Sequence, residues 1–578
     1  MADFQTLDAG GRKIAVRKDL RVPMRDGVTL VADAYCDVTG EPRPALVALS
    51  PYGKELQALA LTMPPQRRPS PMWDGCIEAG DIARVVGEGY VHVIGDVRGS
   101  GGSDGAHIGN YNAGGVSLGQ DAFDFIEWVA AQPWCDGNVG MTGISYYGSM
   151  QVLAAAERPP HLKAIFVSGG HYDFYETTYH GGVMWLMPRA AREGRGGDSG
   201  WAFTDRVRSR MLEAFSAEEI RQRIAARLAD PDVAAWPNLV HVLNYPKHHE
   251  AWFDIVLNEL DGDWYEERNP VDLAANIDIP VYLQINQGRG WTVDGTIELF
   301  NALKCPKSLD IGPYPPMQSR PWVEEHEAMF RWYDYWLKGV DNGVMDSPAV
   351  SVFVEGTRKH VTGAQWPPTD VAYRPLYLRP RRKLSFEPEP MGAEHAAPDG
   401  FYQAPLTVTD KVEILSWSTG PFESPVELIG AGAAHLFAEI DAADTNFILR
   451  LWDAAPGGSR QLVTTGYLKA SHRELDERTT EGSPYHPHTR AVPVEPGTIE
   501  EYVVRLYPFA AAFLPGHRLV LELSNDEPLA DEHNALLPPD AFHLPVGRPV
   551  THKIYRDASH QSRLVLPFTA RSGAADER

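Results

Sequence analysis

A single serine, Ser145, has the surroundings that nucleophilic catalysis requires. It stands in MTGISYYG (141–148), where a predicted buried strand meets a predicted helix, with Gly143 two positions before it and Gly148 three positions after it. Small residues at these places let a strand and a helix approach closely around a strained turn, so that the hydroxyl stands clear of the sheet. The pattern predicts a nucleophile elbow, although it differs by one residue from the common G-x-S-x-G spacing. An ordinary serine in a strand-to-helix turn is the alternative.

The residue after the serine, Tyr146, would complete part of such a site. Its N–H lies at the N-terminus of the predicted helix, where backbone donors have no partner within the helix and the helix dipole favours negative charge. An oxyanion that develops during acyl transfer is stabilised by donors placed in this way. The local sequence therefore predicts acyl-transfer chemistry, provided that a base activates Ser145.

The elements around Ser145 predict an α/β domain with a mostly parallel sheet. A hairpin is expected at 14–35, because Asp26-Gly27 separates two alternating runs. Continuous apolar runs, typical of buried parallel strands, occur at 44–53, 90–99, 138–144, 163–170 and 279–286. A helical pattern at 121–134 lies between two of them. This alternation of strand and helix is the pattern of an α/β sheet.

Two regions depart from the α/β pattern. From 172 to 261 the sequence is rich in aromatic residues and helical stretches, one of which begins with a capping box at Ser216–Glu219. This region predicts a helical cap over the active-site face, with a separate helical domain as the alternative. Beyond 348, short alternating strands with Pro, Gly, Asn and Asp breaks predict a jelly-roll β-sandwich. We therefore expect an α/β domain split over 1–171 and 262–347, a cap at 172–261 and a jelly roll at 348–578.

Composition excludes several classes of function. The net charge of −24 argues against a nucleic-acid partner or an anionic membrane, since phosphate contacts require a basic face. The four cysteines, Cys36, Cys76, Cys135 and Cys305, are far apart and form no C-x-x-C motif, so buried thiols in a reducing compartment are expected. The N-terminal residues contain no apolar segment of a signal peptide, and no run of 18 apolar residues occurs. A cytoplasmic protein is therefore expected.

Several motifs together resemble the serine hydrolase family of cocaine esterase, the α-amino acid ester hydrolases and the X-Pro dipeptidyl peptidases. They are MRDGVTLVADAY (24–35), SPYGK (50–54), DVRGSGGSDG (96–105), the stretch at 120–148, FRWYDYWLKGVDNGV (330–344) and FLPGHRLVLELS (513–524). The resemblance implies an α/β-hydrolase domain with an inserted helical cap and a C-terminal jelly roll. It implies Ser145 as nucleophile and Tyr52 as an oxyanion-hole donor beside the Tyr146 N–H. It also implies a small-molecule substrate, and it leaves open a homo-oligomer.

The chain departs from this family where the catalytic acid and histidine should stand. The family's acid follows the strand written here IPVYLQIN, in a G-W-x-D context, and that position falls on Gly290. The family's histidine follows the strand written here SLDIGPY, and that position falls on Pro316. A shifted alignment on Gly290-Trp291 makes Asp294 the acid, but no shift supplies the histidine. The next histidine, His326, lies in an amphipathic helix and is interpreted as a solvent-exposed residue.

Other histidines are alternatives because triads are recognised by geometry rather than by chain order. His171 ends a predicted strand and is expected at the edge of the pocket. The remaining candidates are His180, His248 and His249 in the cap, and His472, His486 and His488 in the predicted jelly roll. Two histidines in YHPH are too few for a metal site, and no cluster completes them. We expect no metal and no cofactor.

Three functional hypotheses remain open. The first is an ester or amide hydrolase with an altered or displaced triad. The second is an enzyme that retains the pocket and oxyanion hole but performs acyl transfer, cyclisation or proton transfer. The third is a non-catalytic binding protein whose elbow survives for packing. In each case we expect an apolar pocket for an acyl or aryl group, lined by Trp185, Tyr175, Tyr179 and Trp291, with His171 at its edge.

Overall fold

The computed structural model has an α/β sheet, a helical region inserted in it and a second, all-β region. The residues that it describes are 4–9, 11–62, 77–108, 116–186, 207–248, 250–267, 269–287, 290–313, 323, 326–388, 397–527 and 543–570. Of residues 107–108, 116–117, 207, 251 and 290–291 it describes the backbone alone.

Strands and helices have the following bounds. The strands are β1 Gln5–Ala9, β2 Arg12–Pro23, β3 Thr29–Asp37, β4 Arg43–Ser50, β5 Val91–Asp96, β6 His107–Ile108, β7 Cys135–Met141, β8 Leu162–Ser168, β9 Tyr179–His180, β10 Val183–Met184, β11 Val207–Arg208, β12 Val281–Asn286, β13 Lys307–Gly312, β14 Val350–Val354, β15 Lys359–Gly363, β16 Val371–Arg379, β17 Lys383–Ser385, β18 Asp399–Gln403, β19 Leu415–Ser418, β20 Val426–Ile440, β21 Asn446–Ala454, β22 Arg460–Lys469, β23 Ile499–Phe513, β24 Arg518–Ser524, β25 Val550–Tyr555 and β26 Arg563–Thr569. The α-helices are α1 Lys54–Gln57, α2 Ile82–Gly87, α3 Val116–Ala130, α4 Tyr146–Ala156, α5 Phe174–Thr178, α6 Arg210–Ala214, α7 Ala217–Ala229, α8 Pro231–Ala234, α9 Pro237–Asn244, α10 Glu250–Leu257, α11 Asp263–Glu266, α12 Gly290–Ala302 and α13 His326–Lys338.

The first sheet positions Ser145. Within the described residues its order is β1-β2-β3-β5-β4-β7-β8-β12-β13-β14-β15. The pairs from β5 through β14 are parallel, and their carboxyl ends therefore meet at one edge of the sheet. The central strands are apolar and nearly fully buried, as helices on both faces require. The predicted α/β fold class and the hairpin of β2 and β3 are confirmed.

The chain leaves this sheet after β8 and returns to it at β12. The intervening described residues contain the short helices α5 to α11 and the two-stranded pair β9 and β10. The capping box predicted at Ser216–Glu219 is present at the start of α7. This inserted region contacts the all-β region directly, since Lys469 lies 2.8 Å from the Asp232 carboxylate and the Leu544 N–H donates to the Met184 carbonyl.

The C-terminal region is all β, as predicted. Its strands are connected in the order β18-β25-β20-β26-β16-β17-β19-β24-β21-β22, with β23 paired to β20. The jelly-roll arrangement itself stays a prediction. The boundary expected at 348 was wrong in one respect, because β14 and β15 extend the first sheet beside β13. The alternating pattern of this segment predicts a strand but carries no information on which sheet accepts it.

In the described part of the chain, no helix has the length and apolar character needed to span a bilayer. Nor do the His, Cys, Asp and Glu side chains of the described residues group in a way that could hold a metal ion. Cys36, Cys135 and Cys305 are free thiols, and Cys76 lies outside the described residues.

Candidate active site

Ser145 occupies a strained turn between β7 and α4. Its φ is 65° and its ψ is −117°, a conformation that costs a residue with a side chain of the order of 1–3 kcal/mol. The Ser145 N–H donates to the Ser168 carbonyl at 3.0 Å, and the Ser145 carbonyl accepts from the Ser149 N–H at 3.1 Å. These two bonds hold the backbone in place, while the side chain makes no capping hydrogen bond to the helix. The geometry is that of a nucleophile elbow.

Both flanking glycines are required by close contacts. A Cβ on Gly143, whose φ is +110°, would lie 2.5 Å from the Cβ of Tyr147. A Cβ on Gly148 would lie 2.9 Å from the Ser168 carbonyl oxygen and 3.1 Å from the Gly170 Cα. Packing therefore explains why Gly148 follows Ser145 by three positions instead of the usual two. The third residue of α4, rather than the second, lies against the end of β8.

Tyr52 lies on the loop that follows β4, the strand beside β7. Its side chain is buried, and its ring centroid is 5.9 Å from that of Tyr146. The loop is fixed by Asp96 at the end of β5, whose carboxylate accepts from the Lys54 N–H at 2.7 Å and the Gly102 N–H at 2.9 Å. The structure thus brings Tyr52 against the start of the serine helix, where the Tyr146 N–H precedes the helical hydrogen-bond ladder.

A small cleft opens beside this helix at the carboxyl ends of β8 and β12. Its lining residues come from the segment after β8, from α5 and from α12. They are Gly170, His171, Tyr172, Asp173, Glu176, Thr177, Thr292, Asp294, Gly295 and Glu298. His171 joins the cleft to the serine helix, because its N–H donates to the Ser149 hydroxyl at 2.9 Å and that hydroxyl donates to its carbonyl. Crevices at this edge of parallel sheets are the usual ligand sites of α/β proteins.

The cleft is acidic. Burial raises the pKa of Asp173 to about 6, and it raises the pKa of Glu176 well above its ordinary range. Burial, with repulsion from Asp294, raises the pKa of Glu298 to about 8. Burial also raises the pKa of Asp294, although Arg505 opposes the shift. Four carboxyl groups therefore share a site where water is too scarce to solvate them all as anions.

Asp294, predicted as a displaced triad acid, has a cationic partner instead of a histidine in this structure. Its Oδ1 accepts from Nη2 of Arg505 at 2.7 Å, and its side chain is 7% exposed. A carboxylate that orients a catalytic histidine accepts from the imidazole N–H. The role of Asp294 as a catalytic acid stays a prediction, and the ion pair is its observed contact.

Three of the four aromatic residues predicted to line the pocket lie away from the described cleft. Tyr175 and Tyr179 stack at 5.4 Å in the core of the inserted region, where their hydroxyls donate to the Glu259 and Ile255 carbonyls. Trp185 stacks on His180 at 5.5 Å, where the inserted region meets the all-β region. These three side chains do not line the described cleft. Buried aromatics can fill a core as readily as they line a pocket, and the sequence pattern does not distinguish the two.

Three other predicted positions have little or no described structure. Gly290 and Trp291 begin α12, and only their backbone is described. Pro316, where the sequence analysis expects the family's histidine position, lies outside the described residues.

His326 was interpreted as solvent-exposed, and this was wrong. It is fully buried at the start of α13, and its Nε2 accepts from the Asp81 N–H at 3.1 Å. Burial lowers its pKa to about 3, so it is neutral at physiological pH. The residue that covers it, Asp81, caps α2 from 245 positions away, a contact that helical periodicity cannot reveal.

Sequence reasoning missed three acids that line the cleft, and it missed Arg505, which pairs with the cleft residue Asp294. Asp173 and Glu176 follow a buried strand directly, in HYDFYE, which is a position where functional side chains occur in α/β sheets. Glu298 follows Asp294 by one helical turn, so both carboxylates share a face of α12. These two signals were available. Arg505, 211 positions from its partner, gave none.

Comparison with known proteins identifies the family. Residues 26–315, half of the chain, match the family model of the X-Pro dipeptidyl-peptidase (S15 family). The chain belongs to this family. Residues 342–565 match the X-Pro dipeptidyl-peptidase C-terminal non-catalytic domain. This X-Pro dipeptidyl-peptidase family member is also 25% identical to a cocaine esterase from Rhodococcus sp. (strain MB1 Bresler), over 96% of this chain and 99% of that one. The chain is therefore a member of a hydrolase family that contains esterases and dipeptidyl-peptidases.

Solved structures confirm the fold. A CocE/NonD family hydrolase from Staphylococcus aureus superimposes with a TM-score of 0.74 at 20% identity, over 98% of this chain and 96% of that one. An α-amino acid ester hydrolase superimposes with a TM-score of 0.72 at 19% identity, over 98% of both chains. At these identities the likeness establishes an α/β-hydrolase architecture.

Proposed function

We propose that this protein hydrolyses esters or amides of small molecules that carry a cationic group, through a covalent acyl-enzyme on Ser145. The observation that carries the proposal is the backbone of Ser145. Its strained dihedral angles, with two glycines whose Cβ atoms would clash, form the turn that exposes a nucleophile. A serine that served packing alone would relax to an unstrained conformation.

The proposed reaction follows from the groups around this serine. The Ser145 oxygen attacks the acyl carbonyl, and its proton passes to a base. The Tyr52 hydroxyl and the Tyr146 N–H donate hydrogen bonds to the resulting oxyanion. The leaving alcohol or amine receives the proton, and water then hydrolyses the acyl-enzyme by the same steps.

His171 is the residue that we propose as the base. Among the described residues, it is the histidine that lines the cleft. Its backbone N–H and its carbonyl both form hydrogen bonds with the Ser149 hydroxyl, one helical turn after the nucleophile. Neither Gly290 nor Pro316, which we expect at the family's acid and histidine positions, can accept a proton through a side chain. A base displaced to the end of β8 would supply what those positions lack.

The acidity of the cleft supports a cationic substrate in place of the apolar one expected from sequence. Four carboxyl groups line it, and a positive ligand stabilises their ionised forms. The Thr292 hydroxyl is buried, lines the same cleft and has no hydrogen-bond partner there among the described residues. A buried polar group without a hydrogen bond costs the folded state about 1–3 kcal/mol. A bound ligand that formed this hydrogen bond would recover that free energy.

Proton-transfer chemistry without hydrolysis is a second candidate. Glu298, with a pKa raised to about 8, and Asp261, with a pKa raised to about 7 by burial, titrate near neutral pH. Carboxyl groups poised in this range suit general acid–base roles. This candidate would need no activated serine.

Two matched esters test the first proposal. The 4-nitrophenyl esters of L-phenylalanine and of 3-phenylpropanoic acid differ by the ammonium group alone. We expect the phenylalanine ester to be hydrolysed with the higher kcat/KM, and Ser145→Ala to abolish turnover of both. We expect His171→Gln to slow the reaction and to slow labelling of Ser145 by a fluorophosphonate, read by intact mass. Turnover that persists in Ser145→Ala would remove the serine mechanism and favour the second candidate.

A further inference from the structure

One strand of the C-terminal region contacts the cleft, although the matching family model is described as a non-catalytic domain. In β23, Arg505 and Tyr507 are two positions apart and therefore face the same side. Nη2 of Arg505 lies 2.7 Å from Asp294, and the Tyr507 hydroxyl donates to Oε2 of Glu176 at 3.3 Å. Both acceptors line the cleft. The C-terminal region thus contributes directly to the charge of the candidate active site.

In the described part of the chain, Arg505 forms an ion pair with this group of acids through Asp294. Besides Asp294, its guanidinium interacts electrostatically with Glu298 and Glu176. Its Nε is buried and makes no hydrogen bond to another described residue, so part of its donor capacity is unused. A more distant cation, Arg478, is bound to Asp476 and lies over the ring of Tyr485. The ionic partner of Asp294 is therefore Arg505.

The pair has a defined electrostatic consequence for any cation in the cleft. Asp294 and Arg505 cancel each other, so Asp294 offers no net charge to a ligand while Arg505 is present. The other acids of the cleft, Asp173, Glu176 and Glu298, hold their protons more tightly than ordinary carboxyl groups because burial raises their pKa values, and a cationic ligand would favour their ionised forms. If Asp294 were neutral and Arg505 remained, the positive charge of Arg505 would repel a cationic ligand across a partly desolvated site.

We propose that Arg505 is a specificity-determining residue of the active site, which cancels Asp294 and so sets how many cleft carboxylates a cationic substrate meets. The proposal rests on the cationic substrate class proposed above. It also assigns Asp294 to this ion pair rather than to a catalytic triad.

A charge-swap series tests this assignment. The measured quantity is the ratio of kcat/KM for the phenylalanine ester to that for the 3-phenylpropanoate ester. In Asp294→Asn the uncompensated Arg505 should lower this ratio by about tenfold or more. In the double variant Asp294→Asn/Arg505→Met, which removes both charges, the ratio should return to within about threefold of the wild-type value. Arg505→Lys keeps the charge and should retain the wild-type ratio.

Arg548→Met is the matched control. Arg548 also joins the inserted region to the C-terminal region, through Asp230 and Asp232, but these contacts lie outside the cleft. It should leave the ratio unchanged even if it lowers stability. Equal ratios in the single and double Asp294 variants would overturn the proposal. Loss of turnover of both esters in both variants would overturn it as well, since that result identifies Asp294 as a catalytic acid.

A binding arm separates this proposal from the hydrolase reaction. L-phenylalaninamide and 3-phenylpropanamide differ by the ammonium group, and their binding is read as a rise in Tm. If no ester is hydrolysed but L-phenylalaninamide stabilises the wild type and the double variant more than Asp294→Asn, the hydrolase proposal fails and the role of Arg505 stands. If L-phenylalaninamide stabilises none of them beyond 3-phenylpropanamide, the role of Arg505 is refuted.

Discussion

Gly143→Ala should damage both stability and the reactivity of Ser145. The new Cβ would lie 2.5 Å from the Tyr147 Cβ and 2.6 Å from its Cγ, at a φ of +110°. The backbone strain costs about 1–3 kcal/mol. Overpacking against a side chain held in the core adds about 1–3 kcal/mol. The sum is about 2–6 kcal/mol, which lowers Tm by roughly 4–12 °C for a domain of this size.

Two other glycines separate the strain from the clash. Gly497 has a φ of +84° and open space around its Cβ direction, so Gly497→Ala carries the strain alone. Gly420 also has open space, and its φ lies outside the positive region, so Gly420→Ala should stay within about 0.5 kcal/mol of wild type. We expect Gly420→Ala to have the highest Tm of the three variants, Gly497→Ala an intermediate Tm and Gly143→Ala the lowest.

The second readout is the rate at which a fluorophosphonate modifies Ser145, followed by intact mass. A shift of about 1 Å in a reacting group costs about 100-fold in rate, and Gly143→Ala must move either the serine turn or Tyr147. Neither control should change the rate. If Gly143→Ala matched Gly497→Ala in both Tm and labelling rate, the turn would have to be looser than the contacts indicate, and the argument for a strained nucleophile would be refuted.

Two further predictions concern buried titratable groups. The pKa of Glu298 in the folded protein, about 8, exceeds its ordinary value of 4.5, so the folded state holds this proton more tightly and stability is lost as pH rises from 4.5 to 8. Glu298→Gln should flatten the fall of Tm over this range, and an unchanged pH profile would contradict the shift. His326→Leu removes the acceptor of the Asp81 N–H and should cost about 1–3 kcal/mol, measured as a lower Tm. The labelling rate of Ser145 should not change, whereas a folded variant that no longer labels would identify His326 as the base.

The fold was predictable where burial follows from local pattern. The strands β4 and β5 are mostly apolar, almost fully buried and central in the sheet. The turn at Asp26-Gly27 and the capping box at Ser216–Glu219 are set by residues within a few positions of each other. The assignment of β14 failed because a strand pattern does not specify a pairing partner. Local chemistry thus determined the elements and left part of their assembly open.

The site was predictable to the same extent. Ser145, Gly143 and Gly148 lie within one motif, and the structure forms the turn that their spacing predicts. The Asp294–Arg505 pair spans 211 positions and three-dimensional packing alone creates it. The aromatic pocket was expected from composition, which does not show whether a buried ring faces a core or a cavity.

If the family's histidine and acid positions are replaced, as the sequence predicts, Ser145 depends on another base for its activation. In this chain His171 lines the same cleft as the carboxylates. Arg505 of the C-terminal region pairs with Asp294, the acid nearest to the position expected for the family's acid. Replacing a buried ion pair by apolar residues is often neutral or stabilising, so a gain in stability does not explain why Asp294 is paired with Arg505. An effect of the Asp294 charge on a bound ligand would explain it. The ion pair is therefore better explained by selection among ligands than by stability, and this is the difference that the double variant of Asp294 and Arg505 measures.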